Sequence, residues 1–302
     1  MSVTGTAVQS EAEAGRRHAG AEFVGRRAAR HRRWRWQLPR TLIGSALIFL
    51  VWAVATLLVP AIANRSAEDV IYGTKLLAPG FGYPLGTDAL GRDVLVRIAV
   101  AFRYDLIIGV ASVFAAAVIG LLIGALAGSG AEWLDNLTMG VLDVVSVFPG
   151  FVLALIVAAA AGASVITVIV AIAIVLIPHH ARGMRAAILA ERVKPYAEAA
   201  RAMALPYSRI VLVHLLPNCL GPTLTMASMD IATAIMIAAG LSYIGFGVQP
   251  PTPEWGLMIN EGSSYIVSGQ WWVTFFPGLA ILSVVVAFFM LDQGLKQLRR
   301  RR

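Results

Sequence analysis

Two aspartates, Asp143 and Asp230, stand inside long apolar runs, where an ionised side chain is costly unless it faces a cavity, a partner or an opposite charge. Asp230 lies near the middle of the run Leu220–Ile244, and its side chain is too short to reach the membrane surface. It is the residue we assign to a translocation path, where it would suit a substrate ammonium group; a buried, hydrogen-bonded aspartate explains it equally well. Asp143 is only six residues into the run Leu137–Ala161, so it can reach water, Arg182 or Arg185, and a structural ion pair is preferred to a substrate contact. As a pair on facing helices the two would suit an intramembrane protease, but their depths differ and no catalytic motif surrounds either, so no catalytic residue is assigned. His179 and His180 are adjacent and diverge by about 100° on a helix, which rules out the i, i+4 metal pair. His214 stands alone, and Cys219 is the only cysteine, so neither a disulfide nor a Cys-rich zinc site can be built and no metal ligands are expected.

The elements that carry these residues are apolar spans. Of the 302 residues 58% are hydrophobic and 14% charged, against roughly 25% charged in a soluble domain. Runs about 20 residues long, each able to cross a hydrocarbon core roughly 30 Å thick, are Leu42–Pro60, Tyr104–Gly128, Leu137–Ala161, Val165–Pro178 (expected to extend through His180), Leu220–Ile244 and Trp272–Leu291. The expectation is an all-α integral membrane protein of about six transmembrane helices. Ala61-Ile62-Ala63 resembles a signal-peptidase site, but the apolar run before it is too long for a signal peptide and is read as a retained span. Gly120, Gly124 and Gly128 share one helical face and would let another helix approach closely. Pro149, Pro178 and Pro277 mark kinks or ends, and Trp271 and Trp272 anchor the last span at an interface.

The formal charge of +8 does not point to nucleic acid, because the basic residues flank apolar runs. Nine lie in residues 1–40, six between Arg182 and Asn218 and five in 296–302, whereas the opposite side receives Arg65, Lys75, Arg92, Arg97 and Arg103. Both termini and the 187–218 loop are therefore expected in the cytoplasm. Residues 1–40 read as a basic tail, with Arg32-Arg33-Trp34-Arg35-Trp36 suited to the lipid interface; 41–295 read as the membrane domain and 296–302 as a basic cytoplasmic end.

Three segments stand out. Tyr196-Ala-Glu-Ala-Ala-Arg-Ala-Met-Ala-Leu-Pro206 favours a short cytoplasmic helix, with Glu198 and Arg201 an i, i+3 pair and Pro206 ending it. Small side chains suit it to a groove on another protein, and an inert connector fits as well. Leu85-Gly86-Thr87-Asp88-Ala89-Leu90-Gly91-Arg92-Asp93 reads as a polar outer turn, with Thr87 or Asp88 capping a following helix and Asp88, Arg92, Asp93 and Arg97 forming a mixed-charge cluster. Leu241-Ser-Tyr-Ile-Gly-Phe-Gly-Val-Gln-Pro-Pro251 with Glu254-Trp255-Gly256 reads as a rigid external loop or re-entrant turn.

Glu198-Ala199-Ala200, Ile210 and Leu216-Pro217 resemble the Glu-Ala-Ala loop of ABC importer permeases. The 85–93 and 241–256 segments are similar to signatures of the C-type subunit of dipeptide, oligopeptide and nickel importers, in the same order and spacing. The similarity spans about residues 40–295. It implies a type I importer permease fold with a cytoplasmic coupling helix in the bacterial plasma membrane. The implied ATPase interface is Tyr196, Glu198, Ala199, Ala200, Arg201, Ala204 and Leu205; Ala204 replaces the family's usual glycine, a departure expected to change the turn without abolishing docking. The cluster of Asp88, Arg92, Asp93 and Arg97 would lie on the outer face where a substrate-binding protein lands, with simple loop structure slightly preferred, and docking through the loop that ends at Trp255 is the lesser use of that segment. The family often has an acid near 238, where this chain has Ala238, so pore chemistry is not carried across.

The function implied is peptide import, with these partners: a second homologous permease, one or two ABC ATPase subunits holding ATP and Mg, an extracytoplasmic binding protein, a peptide and membrane lipid. The chain has no Gly-Lys dipeptide, hence no phosphate-binding loop, and is expected to hold no cofactor and to hydrolyse no ATP itself. A nickel or metallophore importer shares the signatures and stays open; an intramembrane enzyme and a membrane scaffold are the readings from other classes.

Overall fold

The computed structural model describes residues 39–129, 132–206 and 209–301, so the expected tail of residues 1–40 lies almost wholly outside the described residues. Within them the fold is helical: α1 (Arg40–Ala63), α2 (Val94–Ser129), α3 (Glu132–Val147), α4 (Gly150–Ala161), α5 (Val165–Glu191), α6 (Pro195–Ala202), a π-helical turn (Ile210–Leu215), α7 (Leu216–Ile244), α8 (Trp255–Ser263) and α9 (Trp272–Arg301). Among the described residues five helices are long and apolar enough to cross a membrane, and up to six spans result if α3 and α4 are counted as one.

That pair corrects the third expected span, Leu137–Ala161. Its two helices meet at 87°, because Pro149 lacks the N–H to continue α3 and instead precedes the first residue of α4. Pro60, Pro178 and Pro277, by contrast, lie inside α1, α5 and α9. Two other boundaries move. α2 begins ten residues before Tyr104, and its length of about 54 Å exceeds the membrane core; the extra turns are buried in protein through Val94, Val96, Ile98, Ala101 and Phe102. α5 runs on through Glu191, so Arg182 and Arg185 project from a helix and not from a loop.

The centre of the bundle is α2 on α5. Gly120, Gly124 and Gly128 make this crossing possible: a Cβ at Gly120 would come within 2.6 Å of the His180 Cβ, and one at Gly124 would overlap the Ala181 carbonyl. Three apolar clusters surround the crossing. One joins α2, α4, α5 and α7 around Ile108, Ile172 and Leu241. The next joins α1, α2, α8 and α9 around Trp255, whose ring meets Trp52 and Phe102. The last lies beneath α6 and is built from Met184, Ile188, Ile210 and Leu215. Many large apolar side chains of α1, among them Leu47, Leu50 and Leu57, remain exposed, as expected for a surface that meets lipid or another membrane subunit.

Candidate functional site

At one end of the bundle, α6 begins with Pro195 at its first turn and lies on the apolar cluster through Ala197 and Ala200. The opposite face presents Glu198, Ala199 and Arg201, all exposed. Of the seven expected interface residues, Ala200 is therefore corrected to an anchoring position, because its side chain is buried. Tyr196 and Leu205 are half-buried. Tyr196 donates to Glu191 Oε2 at 2.7 Å, and burial followed by that hydrogen bond pushes its pKa up to about 12. Nor do Glu198 and Arg201 pair: Arg201 Nη2 donates to the Arg192 carbonyl at 3.0 Å, and Glu198 makes no ion pair with a described residue.

The helix ends at Ala202, four residues before Pro206, through a left-handed turn at Ala204 with φ 53°. Alanine thus stands at a left-handed position that glycine adopts freely. A left-handed alanine costs roughly 1 kcal/mol, so Ala204→Gly is expected to raise stability by about that amount in thermal unfolding, with α6 still seated.

At the other end lies a buried charge network. Asp88 accepts from the amides of Leu90 and Arg92 through Oδ1, both at 2.9 Å, and from Arg92 Nε at 2.6 Å and Arg97 Nη1 at 2.5 Å through Oδ2. Glu261 on α8 accepts from the same two arginines at 2.8 and 2.7 Å. Asp93 caps α2 by accepting from Leu95 and Val96 and is paired with Arg65 at 3.0 Å. The cap is therefore Asp93 and not Thr87 or Asp88; the Thr87 hydroxyl is taken by the Thr74 carbonyl and the Leu77 amide. Asp88, Arg92, Asp93, Arg97 and Trp255 are all buried, which corrects their expected role as a landing surface. They lock the loop before α2 to α2 and α8, and Tyr72 and Phe81 are the most exposed of its large apolar and aromatic side chains.

The two span aspartates are held apart by different partners on α5. Asp143 pairs with Arg182 at 3.1 Å and is exposed. Asp230 is nearly buried, with Oδ2 3.3 Å from His180 Nε2 and Oδ1 3.8 Å from His179 Nε2. They do not form a catalytic pair. Among the described residues no group of three or more His, Cys, Asp or Glu side chains could hold a metal.

Sequence reasoning missed Glu261, Arg65 and the carboxyl pair of Asp105 and Glu254. Asp105 had a signal, an acid at the start of an apolar run, and Glu254 stood inside a segment singled out for its glycines and prolines.

A short helix is thus pinned by alanines at one end of an apolar bundle, and a charge-locked loop closes the other. Residues 120–301 match the family described as binding-protein-dependent transport system inner membrane component. The chain belongs to this family. It is a multi-pass inner membrane permease subunit of an ABC transporter and not the ATPase. A di/tripeptide transport permease of Pseudomonas aeruginosa is 35% identical over 84% of this chain and 86% of its own length. A probable D,D-dipeptide permease of Escherichia coli is 33% identical over 85% of this chain and 86% of its own. A glutathione transport permease of Pectobacterium atrosepticum is 40% identical over 72% of each. In fold, a chain of the inward-facing MetNI methionine ABC transporter superposes with a TM-score of 0.54 at 22% identity, covering 68% of this permease and 95% of that chain.

Proposed function

We propose that this permease and a second homologous permease form the membrane path of an ATP-driven importer for short peptides. The observation that carries the reading is α6, which is fixed to the bundle by Ala197 and Ala200 and offers Glu198, Ala199 and Arg201 to an ATPase subunit. A helix whose buried face touches α5 and the π-helical turn transmits a push from the ATPase into the spans; Ala204 and Leu205 shape the edge of the contact. Nucleotide and Mg belong to one or two such ATPase partners. The positive-inside bias of the sequence supports a cytoplasmic α6 and cytoplasmic termini.

Relatives named for di/tripeptides, D,D-dipeptides and glutathione support a peptide substrate, glutathione itself being a tripeptide. Such molecules carry an ammonium group, and Asp230 is the carboxylate we assign to it on the path. Asp143, neutralised by Arg182, is a poorer candidate for that role. An extracytoplasmic binding protein would meet the loop before α2 through exposed Tyr72 and Phe81, on the shape that the buried charges set.

The test is ATP hydrolysis by the complete complex in proteoliposomes. Binding protein loaded with a di- or tripeptide is expected to raise hydrolysis severalfold over empty binding protein. Stimulation by nickel chelates alone would overturn the substrate and leave the transport class standing.

A further inference from the structure

Asp105 on α2 and Glu254, immediately before α8, are both fully buried. Their carboxyls converge on three successive amides at the start of α8, those of Trp255, Gly256 and Leu257. Glu254 accepts from the amides of Gly256 at 2.9 Å and Leu257 at 2.7 Å, capping α8, and also meets Ser242. Asp105 Oδ2 accepts from the Trp255 amide at 3.4 Å, while its Oδ1 finds no donor among the described residues.

Two carboxylates held side by side in a fully buried site repel each other strongly unless a cation or a proton intervenes. The charges around the pair offer no substitute. On α2, Arg97 is engaged by Asp88 and Glu261, and Arg103 turns to the Tyr104 hydroxyl at 3.0 Å. On α8, Glu261 is held by Arg92 and Arg97. On α7, Ser242 is neutral and Tyr243 is exposed, and α1 and α9 bring aromatic and aliphatic side chains around Trp255. Like charges that share a dry site retain one proton between them. Burial raises the pKa of Glu254, in keeping with this.

We propose that Asp105 and Glu254 form a proton-binding site that latches α8 and the outer loop onto α2. While α8 is seated, the single proton bridges the two carboxyls. When α8 lifts, water reaches both, the proton leaves to the external water and two carboxylates remain; reseating takes one proton back. The sign follows from linkage. Above the ordinary carboxylate range the lifted state holds no proton and the seated state one, so the latch weakens as pH rises from that range to the pH at which the seated pair itself ionises, and beyond that no further.

The test uses the whole complex in proteoliposomes. Infrared spectra of the wild type are expected to contain a protonated-carboxyl band at neutral pH that shifts with isotope-labelled glutamate or aspartate and disappears in alkali. Amide exchange of residues 256–263, corrected for its intrinsic pH dependence, is expected to accelerate by up to about tenfold per pH unit within that window. In Asp105→Asn the amide donates permanently, so the band is expected to vanish and the corrected exchange to become independent of pH; Glu254→Gln should also remove the band. A wild type with no labelled protonated-carboxyl band overturns the proposal, whether or not the variants fold. Equal pH dependence of exchange in the wild type and Asp105→Asn overturns the latch.

Discussion

Arg97→Met is expected to cost about 3–5 kcal/mol of stability and to release the outer loop, because it removes one partner from a buried charge network and leaves the others in place. Arg97 is 1% exposed, and a single nitrogen, Nη1, reaches both Asp88 and Glu261. Without it, two carboxylates face the lone guanidinium of Arg92, which already contacts both. Methionine fills much of the volume and supplies no donor, so the loss is electrostatic and not a cavity. Lysine would restore the charge but not the fixed reach of a guanidinium, and Arg97→Lys is expected to recover only part of the loss. The measurement is thermal unfolding of the purified complex, with amide exchange of residues 86–97 and 255–263 to locate the release. Adding Glu261→Gln to Arg97→Met should cost less than the sum of the single changes, because the excess buried charge disappears with it.

The second large effect is functional. Glu198→Arg is expected to abolish stimulated ATP hydrolysis while the permease stays folded. Glu198 is exposed, has no ion pair with a described residue, and lies on the face of α6 opposite Ala197 and Ala200, so its reversal disturbs nothing inside the chain. In a docked assembly the same reversal sets like charges together, a penalty of several kcal/mol, or at least about a hundredfold in affinity. Thermal unfolding of the isolated permease should be unchanged within about 0.5 kcal/mol, as for other surface substitutions.

The spans were legible because apolar runs of membrane length are hard to read otherwise, and the glycines at 120, 124 and 128 gave the face of α2 that meets α5. The break at Pro149 was read only as a possible kink: a proline tells that a helix is interrupted, and the 87° between α3 and α4 depends on what α5 and α7 pack against them. The charged residues near position 90 were found, but their exposure was misjudged. Burial there is decided by Glu261, 169 positions from Arg92, and no local pattern announces that pairing. Ala204 shows the reverse limit. Its residue type gives no sign of a left-handed backbone, yet it adopts one beside Leu205 and Ile210, which pack on the cluster beneath α6, at a modest local cost. Asp105 is visible as an acid at the mouth of a span, but its neighbour Glu254 is remote in sequence and no local pattern joins the two.

Import by this permease depends on coupling through α6. The measurement that tests it most directly is ATP hydrolysis by the reconstituted complex with and without peptide-loaded binding protein, in wild type and Glu198→Arg. Stimulation in the wild type and basal hydrolysis alone in the variant, with equal amounts of folded permease in the membrane, is the predicted result. Undiminished stimulation in Glu198→Arg would contradict it.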